Sequence, residues 1–123
     1  MTLNEMKEAK AKVEAQRKEV WIDQIKTAIY LADKALAENP EDGGTCNFDA
    51  AMIKKETAFT YQETIDMFKK CGLNAYKMSG FNKGWIKIQG KGGQANSRTR
   101  WAKAFKNALE EQGFETSMYY QCD

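Results

Sequence analysis

Apolar residues recur at two different periods along this chain, and the change of period divides it. From Leu3 to Leu36 the spacing is helical. Thr2 and Glu5 carry the start signature of a capping box, and the pattern predicts a helix to about Glu38, where Asn39-Pro40 stops it. Its first half is thinly apolar, with Met6, Val13 and Val20 seven residues apart and Ala9 between them. Its second half carries a fuller stripe of Trp21, Ile25, Ala28, Ile29, Ala32 and Leu36. At about 1.5 Å per residue such a helix extends roughly 54 Å, beyond the span of a single domain of this size. Residues 1–39 are therefore expected to include an oligomerisation arm. Its seven-residue apolar repeat suits a partner helix in a homodimer or larger homo-oligomer; the alternative is a solvated, frayed arm.

After the Glu41-Asp42-Gly43-Gly44 loop the period shortens. Thr45 to Ile53 alternates as a strand, with Cys46, Phe48, Ala50 and Met52 on one face and Asn47 and Asp49 on the other. Thr60 and Glu63 form a second capping signature, and a helix over Tyr61–Cys71 follows, with Ile65 and Phe68 inward and Gly72 as its left-handed stop. Leu73–Met78 and Gly84–Gln89 read as strands joined by Ser79–Lys83. Ser97 is placed to cap a helix over Arg98–Gln112 whose stripe is Trp101, Phe105, Ala108 and Leu109. Gly113 ends it, and Phe114–Gln121 alternates as a last strand. The predicted fold is α+β: a long N-terminal helix, then a split βαβ unit (βαββαβ, ferredoxin-like) with two helices on one face of an antiparallel sheet. Residues 45–123 form the expected ligand-binding domain.

Composition narrows the chemistry. The 123 residues are 42% hydrophobic and 29% charged, a globular balance. No apolar run approaches the roughly 18 residues of a spanning helix. The N-terminus alternates Lys and Glu, unlike a secretory signal, so a cytoplasmic protein without membrane association is expected. Cys46, Cys71 and Cys122 are an odd set without CxxC spacing, which reads as reduced thiols and not as a disulfide frame or zinc site. Histidine is absent. Its absence removes the usual neutral-pH base, the commonest transition-metal ligand and every His-activated nucleophile. No catalytic residue, metal or cofactor is expected.

Charge is strongly segregated beneath a net +2. Residues 1–66 hold nine bases against thirteen acids, residues 67–109 hold ten bases and no acid, and residues 110–123 hold four acids and no base. An acid-free basic stretch suits an anionic, phosphate-bearing ligand; a lysine-rich solvated face is the plainer alternative.

The richest local signal is Gln89–Arg100 (QGKGGQANSRTR), a glycine-rich link from a strand end into a helix start. Glycines let backbone N–H groups approach a ligand, and a helix start presents unpaired donors. Arg98 and Arg100 stand where acidic residues usually complement the dipole. The link is neither a Walker A sequence nor a GxGxxG turn. Lys83–Ile88 (KGWIKI) resembles the beginning of an RNA-recognition sheet motif but lacks its further aromatics. Phe81, Trp85, Tyr119 and Tyr120 fall on or beside the sheet as candidate stacking residues. The candidate ligand-binding set is Asn47, Phe48, Asp49, Phe81, Lys91, Gly93, Gln94, Asn96, Arg98 and Arg100. Arg98 and Arg100 are assigned to phosphates, Gln94 and Asn96 to polar edges, Phe81 or Phe48 to a base and Asp49 to a ribose hydroxyl.

Three segments, Gly43–Asp49 (GGTCNFD), Gly92–Arg100 (GGQANSRTR) and Tyr119–Asp123 (YYQCD), resemble a family of small bacteriophage proteins similar to anti-Thoeris proteins. The resemblance spans roughly residues 43–123. It implies an oligomeric, non-enzymatic sponge that holds a cyclic ADP-ribose-type immune signal in the cytoplasm of an infected bacterial host. The competing expectation is an anti-CRISPR-like inhibitor that grips nucleic acid, or a nucleic-acid-binding protein, through the basic face. An enzyme would have to work with Asp49 and Asp123 alone.

Overall fold

In the computed structural model, which describes residues 2–39, 49–91 and 95–120, three helices and a four-stranded antiparallel sheet share one core. Helix α1 runs from Leu3 to Glu38, and the Thr2 side chain accepts a hydrogen bond from the Glu5 amide at its start. Strand β1 (Ala50–Lys54) leads to helix α2 (Tyr61–Lys70), then β2 (Ala75–Lys77), a single 3₁₀ turn (Gly80–Asn82), β3 (Trp85–Ile88), helix α3 (Ala95–Glu111) and β4 (Thr116–Tyr119).

The local signals act as their chemistry dictates. Thr60 and Glu63 close a complete capping box, each side chain bonding the other's backbone N–H. Lys18 of α1 lies 2.8 Å from the Glu63 carboxylate. That contact and the Thr60 amide hold the Glu63 pKa down at about 2. Gly72 and Gly113 adopt positive φ (84° and 99°) at the ends of α2 and α3, the conformation that makes glycine a helix stop.

The sheet order is β2-β3-β1-β4, with β1 and β3 central. Register places Ala51 beside Ile88 and Met118, and Ile53 beside Ile86 and Thr116. Ala51, Ile53, Ala75, Ile86 and Ile88 join the buried cluster that receives Phe68 from α2 and Trp101, Phe105 and Leu109 from α3. Phe68 and Phe105 meet edge to face at 6.4 Å, so both helices cover the same sheet face. The second half of α1 packs chiefly on α3 and more lightly on α2, burying Ile25, Ala28 and Ala32 completely. Trp21 sits edge-on to both Phe59 and Phe114 at 4.8 and 4.7 Å. In the first half Leu3, Met6, Val13 and Val20 are exposed, and Val13 and Val20 border a groove whose other wall is Phe59 and Phe114.

Some boundaries differ from the sequence reading for definite reasons. Strand β1 is described from Ala50, where pairing with β4 starts, and pairs with β3 from Ala51; the expected start at Thr45 and residues through Phe48 lie outside the described residues. Helix α3 begins at Ala95, so Ser97 lies inside its first turn, fully buried, and is not the cap. Both outer strands are shorter than the sequence reading, at Ala75–Lys77 and Thr116–Tyr119. Among the described residues, no helix is long and apolar enough to cross a membrane.

Candidate functional site

The opposite face of the sheet carries the alternate residues of the same strands. Across its middle run Tyr76, Lys87, Met52 and Ser117 in register, with Ala50 and Tyr119 paired in the next row and Trp85 beside Lys54 in the row beyond. No described helix covers this face. At the end of the face nearest α3, a cavity of about 440 Å³ opens between the sheet and the helix start. Asp49, Ala50, Tyr76, Lys87, Gln89, Gly90 and Arg98 line it.

Each lining group has a structural reason to be there. Asp49 immediately precedes β1 and is 5% exposed, with the Thr99 hydroxyl of α3 donating to its Oδ2 at 3.0 Å. A carboxylate at that depth requires hydrogen-bond donors, and this one draws α3 onto the start of β1. Gly90 is obligatory for packing: a Cβ there would lie 2.9 Å from Trp101 Cε3. Trp101 stacks on Phe105 (centroids 4.8 Å, planes 16° apart) and donates through Nε1 to Asp33 Oδ1 at 2.8 Å. Lys91 reaches the other oxygen of the same carboxylate at 3.4 Å. One aspartate of α1 therefore anchors residues on both sides of the glycine-rich link. Tyr76 donates its hydroxyl to Gln89 Oε1 at 3.1 Å, fixing the rim.

The electrostatics of the cleft are mixed but mostly positive. Arg98 is half-buried at the helix start, and the first turn of α3 has no acid while its last turn has no base. Glu110 and Glu111 stand at the far end, so charges at both ends oppose the helix dipole, at about 0.3–1 kcal/mol each where exposed. The Lys106 ammonium, 2.9 Å from Glu110, bonds that carboxylate and lowers its pKa. The Lys87 ammonium lies 5.6 Å from the Tyr76 ring centroid and 5.4 Å from that of Tyr119. These are cation–π distances on both sides.

The sequence-derived set divides under this geometry. Asp49 and Arg98 come together in the cleft. Asp49 is buried and hydrogen-bonded rather than turned outward. Arg100 does not line the cavity with Arg98; two residues along a helix turn a side chain by about 200°. The two guanidiniums therefore cannot share one phosphate from the same face. Lys91 is committed to Asp33 and lies outside the cavity lining, and Asn96 is exposed outside it as well. Phe81 is fully exposed on the 3₁₀ turn between β2 and β3. That turn lies at the end of β3 opposite Gln89 and Gly90, so Phe81 is not a stacking residue for this cleft. Asn47, Phe48, Gly93 and Gln94 lie outside the described residues.

Tyr76, Lys87 and Gln89 line the cleft although none is in the candidate set; Lys87 falls in the Lys83–Ile88 stretch and Gln89 opens the glycine-rich link, while Tyr76 belongs to no motif. Their signal is register: alternation within β3 puts Lys87 and Gln89 on one face, and pairing brings Tyr76 beside Lys87. Asp49 and Arg98, from two of the three resembling segments, both line this cavity, and Tyr119 of the third pairs with the cavity residue Ala50. Compared with known protein families, curated proteins and solved structures, the chain matches none.

Proposed function

We propose that the protein binds a nucleotide in the cleft between the sheet end and the start of α3, and holds it without chemical conversion. The carrying observation is the convergence in one cavity of about 440 Å³ of two cations, Lys87 and Arg98, a tyrosine ring and polar side chains. That volume lies within the range of small-ligand sites. The cations suit phosphate oxygens, the Tyr76 ring offers a stacking surface, and Gln89 and Asp49 carry acceptors for ribose or base donors. A chain without histidine is poorly equipped for proton transfer near neutral pH, which favours retention over turnover.

The resemblance of residues 43–123 to small phage proteins extends this reading to a sponge for a cyclic ADP-ribose-type signal in the host cytoplasm. In that role the exposed first half of α1 joins copies into a homo-oligomer, a reading supported by the seven-residue spacing of Met6, Val13 and Val20. The βαββαβ order with β1 and β3 central supports a split βαβ scaffold. A second reading, a longer nucleic-acid strand held on the basic side, is favoured by the uncovered face with Lys54, Lys87, Tyr76 and Trp85. Strong salt-dependent binding to long RNA identifies that case.

Arg98→Ala tests the site by calorimetric titration with cyclic mono-, di- and trinucleotides and cyclic ADP-ribose isomers. Loss of one charge-assisted phosphate contact weakens binding roughly ten- to a hundredfold, with the fold unchanged by circular dichroism. Equal affinity in the variant removes the cleft from consideration.

A further inference from the structure

We infer that the ligand is longer than one nucleotide: a second base, joined through a phosphodiester, lies on the open sheet face beside the cleft. The inference rests on the nucleotide reading above. Tyr76 and Lys87 line the cavity, whereas Tyr119 is not part of its lining. Tyr119 stands directly beside Ala50 on the neighbouring strand, and Ala50 is a cavity residue. Paired residues on neighbouring antiparallel strands have Cβ atoms about 5 Å apart. A group leaving the cavity across β1 therefore meets the Tyr119 ring next.

Lys87 is the joint between the two positions. Its ammonium stands 5.6 Å from the Tyr76 ring and 5.4 Å from the Tyr119 ring, and it makes no ion pair among the described residues. Neither of the two rows nearest the cavity includes an acidic strand residue. Glu115 lies at the far end of the face, 3.9 Å from Lys54. A cation flanked by two aromatic rings, in strand rows without an acid and with Asp49 buried at the cavity end, has the chemistry of a phosphodiester linking two stacked bases. The face complements that ligand in charge and is continuous with the cleft. The shared chemistry is a dinucleotide, linear or cyclic, in preference to the single-base cyclic ADP-ribose.

Affinities for AMP, linear pApA and cyclic di-AMP, measured by calorimetry on the full chain, test this directly. At least one dinucleotide is expected to bind tenfold or more tighter than AMP, and which one does so identifies the linear or cyclic source. Tyr119→Ala is expected to erase that gain, a loss of roughly ten- to a hundredfold, while AMP affinity stays within about twofold. Tyr119→Phe is expected to keep it, since the ring remains. Lys87→Met provides a second reading that does not depend on Tyr119: the salt dependence of dinucleotide binding falls by about one unit of slope. If AMP binds and neither dinucleotide binds tighter, the second position does not exist although the cleft does. If none of the three binds and the wider nucleotide panel fails as well, the nucleotide reading falls and this inference falls with it.

Discussion

Ile86, Lys87 and Ile88 are consecutive, yet they belong to two different surfaces. The isoleucines are completely buried under α2 and α3, while Lys87 stands between two tyrosines on the uncovered face. One face of the sheet is closed by α2 and α3, with α1 packed on them, and holds the fold together. The other keeps aromatic and cationic groups at its surface with no described element packed over them. Apolar side chains left half in water without packing cost a domain solubility, so an uncovered aromatic face calls for a ligand more than for structure. The comparison separates residues that hold this protein together from residues that give it something to do.

The largest effect that can break the comparison comes from the closed face. Ile88→Ala is expected to lower unfolding free energy in urea by about 2–5 kcal/mol, the cost of a cavity in a packed core. Lys87→Ala, one residue away, is expected to change it by less than about 1 kcal/mol, because only cation–π contacts are lost. Comparable losses from both would mean that the two faces are not functionally distinct. A middle-sized effect comes from the seam where the faces meet. Gly90→Ala forces a Cβ to 2.9 Å from the Trp101 ring, which Asp33 holds in place. It is expected to cost about 1–3 kcal/mol and to weaken ligand binding through displacement of Gln89 and Arg98. A variant of full stability and affinity would show that Trp101 yields more freely than its stacking and hydrogen bond indicate.

How far these surfaces can be read from sequence follows from the range of each signal. The Thr60–Glu63 box, the stops at Gly72 and Gly113 and the Trp101–Phe105–Leu109 stripe are local, and all stand as the sequence reading places them. The start of α3 was harder, because glycine-rich sequence before Ala95 resembles a loop and Ser97 is a good cap residue; burial of Ser97 against the core outweighs that preference. Arg98 and Asp49 could be singled out from charge and position. Their joining could not, since it depends on Thr99 bonding a carboxylate 50 residues away. Lys91 stands in the candidate set, and its pairing with Asp33, 58 residues earlier, follows only from the packing of α1. The meeting of Tyr76 with Lys87 and Gln89 is not legible in the sequence, because strand register alone joins them.

The measurement that bears most directly on the central claim is retention. Purified protein and the Arg98→Ala variant are each incubated with the nucleotide panel, freed of unbound ligand and heat-denatured, and the released compound is identified by chromatography and mass. One nucleotide is expected to emerge intact from the wild-type chain and little from the variant. A cleaved product would make the protein an enzyme, and equal release from both chains would place the ligand somewhere other than the cleft at Arg98.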